Sequence, residues 1–183
     1  TSRGIHFKRE IFTSFTDQVI IVKLSADKPK SIHAKIWVSS PQNHQINTGN
    51  GELTMTGITG DHEGVSGQVK FTSIMKPLLK NGSIEQADTA IIIKNADEVV
   101  IYLSAATSFK NYKDISGDPT VIAENYLNKA IAKNYDKAKN EHSAYYKSFF
   151  DRVSLDLGTT DSIKNPTDQR LKDFKTGNDP QLA

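Results

Sequence analysis

The sequence predicts a mainly β protein with C-terminal helices: an antiparallel β-sandwich segment over residues 1–107, then a two-helix linker and extended tail over 108–183. Three observations predict it. Short apolar stretches alternate with polar residues at period two through the first part of the chain, and turn-forming pairs interrupt them at short intervals. After Thr107 the apolar spacing changes to three and four. Many short strands without interleaved helices pack as antiparallel layers.

The first strand fits Gly4–Ser14, where Ile5, Phe7 and Ile11 share one parity and His6, Lys8 and Glu10 the other. Thr16-Asp17 makes a turn, and Gln18–Ser25 is a β-branched run suited to a strand covered on both faces. After a turn at Ala26–Lys30, Ser31–Ser40 alternates again, with Ile32, Ala34, Ile36 and Val38 facing one way. Pro41–Gly51, rich in Asn, Gln and Gly, reads as a loop. Further strands fit Glu52–Ile58, Val65–Ile74, Thr89–Lys94 and Val99–Ala105, and Asn81-Gly82 is a strong hairpin signal.

Asp118-Pro119 starts a helix, with Asp as N-cap and Pro at the first helical position. Val121, Ile122, Ala123, Tyr126, Leu127, Ala130 and Ile131 form its apolar face. A second helix fits Tyr135–Phe150, with Ala138, His142, Tyr145, Tyr146, Phe149 and Phe150 at spacings of three and four. Arg152–Gly158 returns to strand-like alternation, and the polar tail from Thr159 carries little that could hold it alone.

Composition narrows the function classes. A net charge of +2, from 23 Lys plus Arg against 21 Asp plus Glu, gives no electrostatic reason to expect nucleic acid or an anionic membrane as partner. No apolar run approaches the ~18 residues a membrane span needs. With no cysteine there is no disulfide, thiolate metal site or cysteine nucleophile. The chain starts at Thr1 without a signal-like stretch, and a strand pattern begins by Gly4, so we expect the start to be a cut inside a longer protein.

No catalytic, cofactor-binding or metal constellation emerges. The five histidines, at positions 6, 33, 44, 62 and 142, do not pair at zinc-ligand spacing. Asp61-His62-Glu63 are adjacent, so their side chains diverge, and a polar turn is the better reading. His142 among aromatics on a helix face is expected to be packed and partly buried. There is no G-x-S-x-G, P-loop or G-x-G-x-x-G. Carboxylates are plentiful, but spacing pairs no two of them across a sugar. Trp37, Tyr102 and Phe109 could stack on sugar rings; core or interdomain packing is the default for all three.

Several segments together resemble one family. Phe7-Lys8-Arg9-Glu10-Ile11-Phe12-Thr13-Ser14, followed by Asp17-Gln18-Val19-Ile20 and Leu24-Ser25-Ala26-Asp27, resembles the R-E-x-F-x-S-x-x-D-Q-V-I segment in the N-terminal domain of glycoside hydrolase family 95. Ala96-Asp97 and Leu103–Ser108 are similar to that domain's late strand. His142, Tyr145, Phe149, Arg152–Gly158 and Pro166–Leu171 resemble its linker, and Asp179-Pro180-x-Leu182 the run into its catalytic barrel. The matches are collinear and cover nearly the whole chain.

The resemblance implies the β-sandwich of an inverting α-L-fucosidase that releases α-1,2-linked fucose, with some relatives preferring L-galactosyl groups. It implies a secreted or periplasmic setting, no cofactor, and catalytic groups in an α/α barrel downstream of Ala183. The partners it implies are that barrel and a fucosylated glycan. It also implies that the first strands of a super-sandwich are missing, which leaves Gly4–Ser14 as an open edge through which a homodimer can form. The alternative is a free-standing carbohydrate-binding β-sandwich; the concentration of aromatics in the helical part favours packing instead.

Overall fold

The computed structural model describes residues 2, 4–156, 158–175, 179 and 182. The strands are β1 (Phe7–Ser14), β2 (Val19–Ala26), β3 (Ile32–Trp37), β4 (Asn43–Gly49), β5 (Glu52–Ile58), β6 (Lys70–Lys80), β7 (Ser83–Ala87), β8 (Ala90–Ala96) and β9 (Glu98–Thr107). Helices α1 (Pro119–Ile131), α2 (Tyr135–Phe150) and α3 (Thr167–Asp173) follow, with a short 3-10 turn at Asp161–Lys164. The chain divides into compact units of residues 1–145 and 146–183.

In the first unit, a six-stranded sheet of order β1-β2-β9-β6-β5-β4 and a three-stranded sheet of order β3-β8-β7 are antiparallel throughout. Period-two alternation gives the large sheet two apolar faces. On one, Leu53 and Val99 meet Ile32, Ile36, Ile91, Ile93 and Ala96 of the small sheet. On the other, Val19, Ile21, Ile74, Val100 and Tyr102 meet Ala123, Leu127 and Ala130 of α1 and Tyr135 and Ala138 of α2. The architecture is therefore a mainly β sandwich followed by helices, with α1 and the start of α2 adding a third layer to the first unit. Each fully buried Ile or Leu contributes roughly 1.5–3 kcal/mol.

Helix α1 begins where its caps dictate. The Asp118 carboxylate accepts from the backbone N–H groups of Thr120 and Val121, and Pro119 occupies the first turn. Ser104 Oγ in β9 donates to the Ala123 carbonyl at 2.8 Å, so a buried hydroxyl is satisfied while the helix is pinned to the sheet.

Four segments differ from the sequence reading. Residues 43–49 form strand β4 where a loop was expected; its polar composition belongs to one uncovered face, since Ile46 of the other parity packs against the core. Asn81 and Gly82 have positive φ, but β6 and β7 do not pair with each other. β7 pairs with β8, so the turn carries the chain from one sheet to the other. Residues 153–156 are irregular, with Val153 and Leu155 exposed; Leu157 of the expected strand lies outside the described residues. In the second unit the tail holds α3, whose Arg170 forms two 2.7 Å bonds to Asp179. Pro180 of the expected barrel-leading run also lies outside the described residues.

Candidate functional site

The sequence-level candidates are scattered. His6, His33 and His62 are exposed, and His62 lies 3.9 Å from Glu63, with both side chains in solvent. His44 is half-buried, its Nδ1 2.7 Å from the Gln42 carbonyl. His142 is half-buried against Phe12, ring centroids 5.0 Å apart. No group of three or more metal-ligating side chains converges among the described residues. Of the three rings considered for sugar stacking, Tyr102 is buried under the helices, whereas Trp37 and Phe109 are exposed.

Two charged clusters fasten the α1–α2 corner to the sheet. The Asp17 carboxylate, with no side-chain exposure, lies 2.6 Å from Lys133 Nζ and accepts from Ser14 Oγ at 2.7 Å. Lys133 also pairs with Glu141 at 2.6 Å. Burial pushes the Asp17 carboxyl up, but the Lys133 ammonium and the Ser14 hydroxyl outweigh it and hold the group below the ordinary aspartate value. Glu10 of β1 takes Lys139 of α2 at 2.5 Å and Lys8 at 3.1 Å; the bond to Lys139, then that to Lys8, lowers its carboxyl. Phe15 stacks on Tyr145 at 4.5 Å. These contacts are structural in geometry: each carboxylate is matched by a lysine.

A concave surface lies on the helix-side face of β4, β5 and β6, beside α1. The register places Gln45, Thr56 and Thr72 in one cross-strand row and Asn43, Ile58 and Lys70 in the next. Thr72 shares a 3.0 Å hydrogen bond with Thr120, which fixes that parity as the helix side. Residues Ser116–Thr120 form one wall, and the groove encloses about 790 Å³. Asn43, Gln45 and Lys70 are exposed, while Thr56 and Ile58 are half-buried. The side chains of Asn43, Gln45, Thr56 and Lys70 make no hydrogen bond to another described residue. Gly57 is needed close by, since a Cβ there would lie 2.3 Å from Phe71 and 2.4 Å from the Asn43 carbonyl.

Sequence reasoning missed this groove because it treated 41–51 as a loop. The available signal was the strict alternation of Asn43, Gln45 and Asn47 with His44, Ile46 and Thr48. No helix among the described residues is long and apolar enough to cross a membrane.

Comparison with known proteins adds family context. Residues 1–112 match the family model described as glycosyl hydrolase family 65, N-terminal domain. Residues 134–183 match the glycosyl hydrolase family 95 catalytic domain. An Arabidopsis thaliana protein named Alpha-L-fucosidase 2 is 27% identical over 213 aligned residues, covering 98% of this chain and 25% of the relative. The chain thus spans about a quarter of that relative's length. A solved structure described as a putative kojibiose phosphorylase from the human microbiome superposes with a TM-score of 0.56 at 13% identity, over 80% of this chain and 21% of the other. At that identity the likeness is one of fold.

Proposed function

Because the chain belongs to the glycosyl hydrolase family 65 N-terminal domain family, and is similar to a protein named Alpha-L-fucosidase 2 over a quarter of that protein's length, we propose that it is the non-catalytic supporting part of a longer glycosidase. The coarser point, a glycoside-hydrolase-related N-terminal region, follows from the matches themselves. The finer reading names an exported α-L-fucosidase acting on terminal α-1,2-fucosyl groups of a glycan. In it, residues 108–183 lead from the sandwich into an α/α barrel that holds the catalytic carboxylates. An inverting enzyme there would use one carboxyl to protonate the leaving oxygen and another to activate water. The reading also includes self-association of copies through the open edge at β1.

One observation carries the supporting role. The segment matching the catalytic-domain family begins at residue 134, and its first helix is built into the sheet's own core. Tyr135 and Ala138 are buried with Ile21 and Tyr102, while Lys139 is bonded to Glu10. The start of the segment that matches the catalytic-domain family is therefore part of the β-sandwich's own core.

The test is hydrolysis of a 2′-fucosylated oligosaccharide by this 183-residue chain and by the longer enzyme. Release of fucose by the longer enzyme alone is expected. Release by the chain by itself would overturn the non-catalytic reading.

A further inference from the structure

We propose that the groove over β4, β5 and β6 is a binding site for a neutral oligosaccharide. The inference rests on the glycosidase reading above for its choice of sugar, and on the groove for everything else. The volume, about 790 Å³, lies within the roughly 300–1,000 Å³ typical of small-ligand sites. Its floor is a grid: neighbouring strands lie about 4.8 Å apart and same-face residues repeat every second position. The grid therefore presents Asn43 and Gln45 beside Thr56.

The chemistry of that grid selects the ligand class. Side-chain amides and hydroxyls each donate and accept, as sugar hydroxyls do, so a polyol can satisfy them in either sense. Asn43, Gln45 and Thr56 spend none of this capacity within the described chain. The charged groups at the groove are Lys70 on the floor and Asp118 in the wall, one of each sign. That balance offers no field for a polyanion. Of the Asp118 carboxylate only Oδ1 serves the α1 cap, leaving Oδ2 as an acceptor.

An apolar sugar face also has a counterpart. Ile58 is half-buried in the floor; the loop that runs into the wall at Ser116 bears Tyr112, 84% exposed and outside the groove's lining. That loop is ordered by its own hydrogen bonds, including Lys110 Nζ to Ser116 Oγ at 2.9 Å. The Tyr112 ring has the Lys113 ammonium 5.2 Å from its centroid. The small sheet lies on the opposite face, and α1 packs over β9 and β6. Beside α1 the grid is left open.

The experiment is an amide-resolved NMR titration of the 183-residue chain with two probes, a neutral 2′-fucosylated lactose and lactose itself. We expect shifts in the side-chain amides of Asn43 and Gln45 and the backbone amide of Thr56, with Kd on the order of 1 mM. Asn43→Ala with Gln45→Ala, both at exposed positions, should weaken binding by about tenfold or more with the remaining spectrum unchanged. A response to the fucosylated probe alone assigns the fucosyl end to the groove, and an equal response assigns the lactose core; either supports the site. No shift at these residues with either probe up to about 20 mM, shifts confined to another surface, or undiminished binding in the double variant would overturn it. The same spectra report free fucose. Its appearance would refute the non-catalytic reading separately, and would leave the groove to be judged on the amide shifts alone.

Discussion

At Asp17 a carboxylate with no solvent exposure is held ionised by Lys133, and its pH response can be worked out. Its folded pKa lies below the unfolded value of about 3.9. The stability it contributes is therefore fully present above that value and lost as pH falls through the folded pKa. In Lys133→Met the carboxylate stays buried with its cation gone, and only the Ser14 and Thr16 hydroxyls still oppose the upward push of burial, so its pKa rises. The stability that ionised Asp17 contributes above its folded pKa is then diminished. We expect Lys133→Met to be less stable than the parent by about 3 kcal/mol near neutrality, and the deficit to narrow as pH falls. Urea denaturation between roughly pH 3 and 8 measures both. A deficit constant across that range would show that Lys133 acts by packing rather than by charge.

At the scale of elements, α1 separates what periodicity shows from what only packing decides. Val121 and Leu127 read alike in sequence, as members of one apolar face. In the structure Leu127 is 2% exposed against the sheet, whereas Val121 is 50% exposed. Leu127→Ala should cost about 3 kcal/mol, and Val121→Ala should stay within about 0.5 kcal/mol. Paired thermal or urea denaturation of the two variants checks the contrast; equal losses would contradict the packing described.

The same distinction explains what was legible elsewhere. Glu52–Ile58 and Tyr135–Phe150 have the bounds read from sequence, because their patterns and ends are local. Strand β4 was hidden because its composition reflects an uncovered face rather than a turn. Asn81-Gly82 was recognisable as a turn, but the strand each side pairs with is a non-local matter. The groove was illegible for that reason too: it exists only where β4, β5, β6 and Ser116–Thr120 converge. The absence of a catalytic constellation remains an expectation, argued from spacing and awaiting the assay.

For the whole molecule, β1 pairs with β2 alone in the large sheet, so its other edge is open among the described residues. The strand's sequence favours one self-pairing. Two copies related by a twofold axis at Arg9 would set Phe7 opposite Ile11 and Lys8 opposite Glu10, twice each, against a single Arg9–Arg9 contact. Phe7 and Ile11 are exposed in the single chain. We expect light scattering of this chain at high concentration to show a dimer, weakened by Ile11→Lys. A clean monomer would count against it.

The sheet order also sets a timetable. Strand β2 has β1 close at hand, but its other partner is β9, and Val19 lies opposite Ser104, 85 residues on. Neither the central pairing nor the helical layer can form until that later segment has been made. At synthesis rates of about 5–20 residues per second, the nascent β1–β2 hairpin waits on the order of 4–17 s with Val19 and Ile21 uncovered. Pairings this distant in sequence also place folding toward the slow, millisecond-to-second end for single domains. The β1–β2 hairpin thus stays open to other pairings until β9 has been made, and the vulnerable interval is set by the 85 residues between Val19 and its partner.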